Sequence, residues 1–220
     1  MKIFLDSADL DAIRKASATG LLDGVTTNPT MAAQQSRSFD DLIAEICALT
    51  AGPVSAEAVA DSTDDLVREG VRLAGLAPNV VVKVPMTPDG LRAAHLLERR
   101  EGIRANVTMV FSPTQALLAM KTGASYVSLV LSRLDAIAAE SDILVQDTMA
   151  VQRAYGFPSE IIGASLKTQN HLLTCLRAGV DIATVPEALF LQMFSHPLTE
   201  SGLAQFAHDW ERLAGRQGGT

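Results

Sequence analysis

The sequence predicts an α/β fold of the (β/α)8 TIM-barrel type with an additional C-terminal helix, and three observations carry that prediction. Eight short β-rich runs alternate with helical patterns down the whole chain. The runs are continuously apolar rather than alternating, which is the pattern of a parallel sheet covered on its outer face, and eight such units are the number that closes into a barrel. The 220 residues, 48% of them hydrophobic, suffice for one sizeable core of this kind. One barrel domain over residues 1–220 is expected, with 197–216 as the extra helix. A doubly wound open sheet is the competing arrangement, but no GxGxxG or P-loop glycine pattern follows any strand-like run.

The first run is KIFLDS from Lys2, followed by GVTTN from Gly24, VSAEAV from Val54 and VVVKVP from Val80. The second half continues with ANVTMVF from Ala105, YVSLVL from Tyr126, EIIGAS from Glu160 and IATVP from Ile182. Helical patterns with start and stop signals lie between them. Ser62 followed by Asp65 opens LVREGVRL, Ser112 and Pro113 open TQALLAM, and Gly123 closes that helix. The surplus run HPLTESGLAQFAHDWERL is amphipathic, with Phe206 and Trp210 at i, i+4 on one face, and is expected to cap the barrel or dock on a neighbouring subunit.

Charge and cysteine content narrow the classes of function. With 18 basic against 25 acidic residues the net charge is −7, and no basic stripe is present, so neither nucleic acid nor an anionic membrane is an expected partner. The opening MKIFLDSADLD has too short an apolar stretch for a secretory signal, and no run approaches membrane-spanning length. Cys47 and Cys175 lie in apolar helical segments without partners at metal-ligand spacing and read as buried thiols. A reducing cytoplasm fits this pattern.

In such a barrel the C-terminal ends of the strands line the active site. The polar residues there are Asp6, Asn28, Glu57, Lys83, Asn106 with Thr108, Ser128, and Ser165 followed by Lys167. Asn106 and Thr108 are two apart and share a face. Lys83 interrupts Val80, Val81, Val82 and Val84. Burying an ammonium there costs several kcal/mol unless it is paired or loses its proton, and the free amine that desolvation favours is a carbonyl nucleophile. The alternative is a tip that snorkels out at the strand end. Asp6 and Glu57 could be structural ion-pair partners of Lys83. They are also what imine chemistry needs, one carboxylate for carbinolamine dehydration and one to deprotonate a substrate hydroxyl, with Thr108 holding a relay water. Arg133 and Lys167 form a candidate anion site, with an exposed pair of cations as the alternative. His95, His171, His196 and His208 form no HExxH or other metal-ligand cluster, and there is no GxSxG elbow.

The segments FLDSA, GVTTNPT, VSAEAVA, VVVKVPMTPDGL, NVTMVFSPTQALLA, GASYVS and HPLTESGLAQFAHDW resemble those of the small transaldolases, a group that includes the fructose-6-phosphate aldolases. The likeness runs from Met1 to about Leu213. It implies a (β/α)8 barrel in which Lys83 forms a Schiff base with the C2 carbonyl of a ketose. By the same likeness Asp6 handles the C4 hydroxyl, Glu57 and Thr108 organise the catalytic water, and Asn28 and Asn106 hold substrate hydroxyls or the dihydroxyacetone unit. Ser128, Arg133 and Ser165 would contact the acceptor side and its phosphate, with Lys167 beside them where many transaldolases have arginine. No metal or other cofactor is implied, because the iminium is the electron sink. The implied partners are sugar phosphates and further copies of the chain, as a pentamer or decamer. Val130 departs from the family, which carries a phenylalanine or tyrosine on strand six; without a ring the pocket is wider.

Overall fold

In the computed structural model, which describes residues 1–217, eight parallel strands close into a barrel in sequence order. They are β1 (Lys2–Asp6), β2 (Gly24–Thr26), β3 (Val54–Glu57), β4 (Val80–Pro85), β5 (Ala105–Val110), β6 (Tyr126–Val130), β7 (Glu160–Ala164) and β8 (Ile182–Val185). The ring closes by pairing β1 with β8, Lys2 opposite Ile182 and Leu5 opposite Val185. The first helices are α1 (Leu10–Ala18), α2 (Pro29–Ala32), α3 (Phe39–Leu49), α4 (Thr63–Ala74), α5 (Pro88–Leu96) and α6 (Pro113–Lys121). The rest are α7 (Leu131–Asp135), α8 (Ser141–Tyr155), α9 (Gln169–Ala178), α10 (Glu187–Gln192) and α11 (Pro197–Gln217). All eight strand-like runs of the sequence are strands, each beginning where expected, but most end earlier. GVTTN contributes only Gly24–Thr26 because Asn28 has turned out of the ladder to cap α2.

Helices α1–α6 and α9 start on a side-chain cap, which satisfies amide groups that the helix itself cannot. Ser62 accepts from the Asp65 amide and Ser112 from the Gln115 amide, and Pro113 occupies the first turn of α6. Gly123 follows α6 at φ +86°, as its stop signal predicted. A π turn at Leu97–Glu101 extends α5 and ends at Gly102, φ +66°; its periodicity gives no sequence signal separate from α5.

Alternation along the strands separates two cores. Val80, Val82 and Val84 point outward into the main cluster with helix residues such as Leu66, Leu73 and Leu97, whereas Val81 points into the barrel with Phe4, Tyr126, Ile162 and Ile182. Two glycines mark close approaches. A Cβ on Gly24 would sit 2.7 Å from the Phe4 ring, and one on Gly163 would sit 2.4 Å from the Cys175 sulfur, which packs α9 onto β7. Both cysteines are buried free thiols, as expected, and burial pushes Cys47 up to about 11 and Cys175 to about 12.

The run expected to be the extra helix is α11, but its apolar side chains do not pack on the barrel. Phe206 and Trp210 are 70% and 72% exposed, and Leu198 and Leu203 are exposed beside them. Among the described residues no helix is long and apolar enough to cross a membrane.

Candidate active site

The barrel interior is built in layers, and the layers follow from a spacing of two along each strand. Phe4, Val81, Tyr126, Ile162 and Ile182 form an apolar floor. Two residues further on, on the same face, stand Asp6, Lys83, Ser128, Ala164 and Thr184, so the chain switches from apolar to mostly polar side chains at one height. Thr26, Ser55 and Asn106 join this polar level, and they are buried with Ser128 and Thr184. Burying so many polar groups is tolerable because they satisfy one another. Ser128 Oγ donates to Asn106 Oδ1 at 2.8 Å, and Asn106 Nδ2 donates to Ser55 Oγ at 3.2 Å. Thr26 Oγ1 lies 2.8 Å from Asp6 Oδ1 and 2.7 Å from Thr184 Oγ1.

Lys83 is 7% exposed. Its immediate neighbours Val82 and Val84 face the helices, so the nitrogen lies among polar groups rather than among the valines that the run suggested. Nζ is 3.0 Å from Glu57 Oε2, its register partner on β3, and donates to the Thr27 carbonyl. That carbonyl is held firmly, since the Thr27 amide and hydroxyl both bond the Ser55 carbonyl, at 3.1 and 2.8 Å. The lysine therefore neither snorkels outward nor stands alone.

Asp6 reaches the rim of the mouth, yet enough protein surrounds its carboxyl that desolvation dominates and raises its pKa above the usual carboxylate value. The Thr26 hydroxyl opposes that rise most strongly, followed by the charges of Lys83 and Lys167. Thr108 is buried on β5 two residues beyond Asn106. The next residue, Met109, holds φ +62° within a register shift between Val107 and Val110, so the strand is locally bulged beside the site.

The remaining predicted residues divide between the mouth and its supports. Asn28 lies just beyond β2, and its side-chain oxygen accepts from the Met31 amide at 2.9 Å as the cap of α2. Asn106 is fully buried, with Nδ2 donating to Ser55 and Oδ1 accepting from Ser128. Ser165 adopts φ +55° and bonds Ser132 at 2.7 Å, joining the ends of β7 and α7. Arg133 is exposed on α7 and Lys167 on the loop after β7. The β7–α9 loop and α7 are tied again by His171, whose Nδ1 accepts from the Lys167 amide at 3.0 Å while Nε2 bonds Asp135. Thr26, Thr27, Thr184 and Ser55 escaped the sequence reading, and His171 was considered there only as a metal ligand. For the first four, a hydroxyl within an apolar strand run was the available signal.

The structure also resembles thiamine phosphate pyrophosphorylase from Pyrococcus furiosus, with a TM-score of 0.59 over 85% of this chain and 86% of that one. At 15% identity this likeness concerns the fold alone. Closer relatives exist in sequence. "Probable transaldolase 1" of Listeria monocytogenes is 47% identical over 96% of this chain and 98% of its own length. A "Probable transaldolase" of Aquifex aeolicus is 49% identical over 97% of this chain and 98% of its own. The family model described as Transaldolase/Fructose-6-phosphate aldolase matches residues 3–217. With a closed parallel barrel, a lysine at its mouth and this likeness over almost every residue, the chain belongs to the transaldolase/fructose-6-phosphate aldolase family of enzymes.

Proposed function

We propose that the protein transfers a dihydroxyacetone unit from a ketose phosphate, such as fructose 6-phosphate, to an aldose phosphate through a Schiff base on Lys83. The carrying observation is the buried Lys83 nitrogen, 3.0 Å from the Glu57 carboxylate at the end of the barrel where such sites form. Glu57 accepts the ammonium proton, which frees the amine to attack the C2 carbonyl. The resulting carbinolamine loses water, with its proton supplied by Glu57 through a water held at Thr108, and an iminium forms. Asp6 then removes the C4 hydroxyl proton, the C3–C4 bond breaks, and its electron pair enters the iminium to give an enamine. The aldose phosphate leaves, an acceptor aldehyde takes its place, and the steps run in reverse. A raised Asp6 pKa suits a carboxyl that must both take and return a proton.

Asn28 holds the dihydroxyacetone hydroxyls, with Asn106 and Ser128 fixing the polar layer below. Arg133, Ser165 and Lys167 receive the phosphate, Lys167 as a point charge rather than a bidentate fork. Val130 favours a second reading, reversible aldol cleavage that releases free dihydroxyacetone. It is buried at the end of β6, where an aromatic ring would narrow the pocket, and its smaller side chain leaves room for water. Free dihydroxyacetone measured with and without an aldose phosphate separates the two, since equal cleavage without acceptor would overturn transfer. Borohydride reduction with fructose 6-phosphate, followed by peptide mass spectrometry, is expected to label Lys83. No label with any ketose would leave a barrel that binds sugar phosphates without turning them over.

Exposed Leu198, Leu203, Phe206 and Trp210 support a homo-oligomer in which α11 docks on a neighbouring copy. Light scattering on a chain ending before His196 is expected to report a smaller assembly, and an unchanged one would remove α11 as its cause. Two buried, unpaired thiols fit the cytoplasm.

A further inference from the structure

The polar layer contains a pair of hydroxyls for which the lysine chemistry has no use. Thr184 lies on β8, two residues beyond the floor residue Ile182, and Thr26 lies on β2 beside Asp6. Both are buried. A threonine hydroxyl has one proton, so Thr26 Oγ1, with Asp6 at 2.8 Å and Thr184 at 2.7 Å, can donate to only one of them. Facing an ionised carboxylate it donates to Asp6, and Thr184 must then donate to Thr26. Among the described residues Thr26 is the only partner of the Thr184 hydroxyl. The chain therefore runs Thr184 to Thr26 to Asp6 while Asp6 is charged, and it reverses only when Asp6 is protonated and donates. Packing does not explain a hydroxyl at position 184. A valine would occupy nearly the same volume above the apolar floor without burying a polar group.

We propose that Thr184 and Thr26 are positioning residues that act as a two-hydroxyl relay, holding the ionised Asp6 carboxylate in one orientation from the centre of the barrel. The inference rests on the reading of Asp6 as the acid/base. Lys83 from β4, Lys167 from the loop after β7 and Thr26 from β2 bear on Asp6, with Glu57 acting through its pair with Lys83. All three favour the charged carboxylate against burial, and Thr26 does so most. Removing the relay therefore favours the protonated form and moves the titration of Asp6 to higher pH.

The size of each shift follows from bond type. A hydrogen bond to a charged group corresponds to about one pH unit, so Thr26→Val should move the midpoint by that much. Neighbouring bonds in a chain strengthen one another by roughly 10–30%, so Thr184→Val should move it by about 0.1–0.3 units. The test is a carbon-13 carboxyl NMR titration of the intact protein, with the Asp6 resonance assigned by its loss in Asp6→Asn and pH profiles of kcat and KM measured alongside. Thr184→Val is expected to raise the Asp6 midpoint and the acid limb of kcat with KM unchanged, and Thr184→Ser to restore both. An unmoved midpoint in a folded Thr184→Val protein, or a change in KM alone, overturns the relay. Should Thr184→Val fail to fold, Thr26→Ser and Thr26→Val replace it, and equal midpoints in those two overturn the relay as well. The NMR midpoint needs no turnover. Full activity in Asp6→Asn would therefore sink the acid/base reading, whereas an inactive Asp6→Asn with a Thr184-independent midpoint would sink the relay alone.

Discussion

Two lysine–glutamate pairs stand at opposite ends of the same barrel. At the N-terminal end Lys2 meets Glu160 at 2.6 Å, with side chains 52% and 33% exposed; at the C-terminal end Lys83 meets Glu57 at 3.0 Å, with side chains 9% and 18% exposed. The charges and spacing are similar, and the solvent is not. In water an ion pair gains little, because hydration competes with it at every moment. Out of water the same two charges carry a desolvation penalty that packing alone does not justify, which is the ground for proposing a chemical role for this pair and not for the other. A cavity of about 320 Å3 lined by Arg104, Tyr126 and Glu160 also lies at the N-terminal end. The buried lysine and both carboxylates lie at the other end.

Substitutions at the two ends test this contrast. Lys83→Met should reduce turnover by about 10^4-fold or more, on the scale of losing an enzyme's nucleophile, and retention of more than a few per cent would erase the distinction between the ends. Glu57→Gln keeps the shape but not the proton acceptor and should cost about 10^2–10^4-fold in kcat, with slower borohydride trapping at Lys83 as the direct readout. Asp6→Asn should lower kcat yet raise the melting temperature at pH 7. Its carboxyl has a folded-state pKa above the unfolded one, so above that folded value the ionised group is destabilising, and below the ordinary carboxylate range it is neutral in both states. The stability advantage of Asn should therefore shrink as pH is lowered through that window, and an advantage independent of pH would contradict the assignment of burial as its cause. Lys2→Met should change stability by less than about 1 kcal/mol and leave kcat and KM unaltered in steady-state assays.

The contrast also shows what the sequence could reveal. Every strand was legible because a parallel strand covered on both faces is a run of apolar residues, and the polar residues that broke those runs, Asp6, Glu57 and Lys83, are the ones gathered at the mouth. The environment of Lys83 was less legible. Sequence neighbours on a strand face opposite sides, so Val82 and Val84 say nothing about what surrounds the nitrogen, and the Thr27 carbonyl that bonds it is a backbone group with no side-chain signature. Thr26 and Thr184 were missed for a related reason. A threonine in a strand is ordinary, and its importance arises only when closure brings β2 and β8 to either side of β1. The exposure of α11 was hidden as well, because amphipathicity reveals that a face wants burial without saying against what.

The floor of Phe4, Val81, Tyr126, Ile162 and Ile182 has a kinetic consequence. It turns the barrel into a cul-de-sac, so in the proposed transfer the donor, the departing fragment and the acceptor share one doorway and are expected to use it in turn. Initial-rate plots against donor concentration at several fixed acceptor concentrations should therefore give parallel lines, with each sugar inhibiting competitively against the other at high concentration.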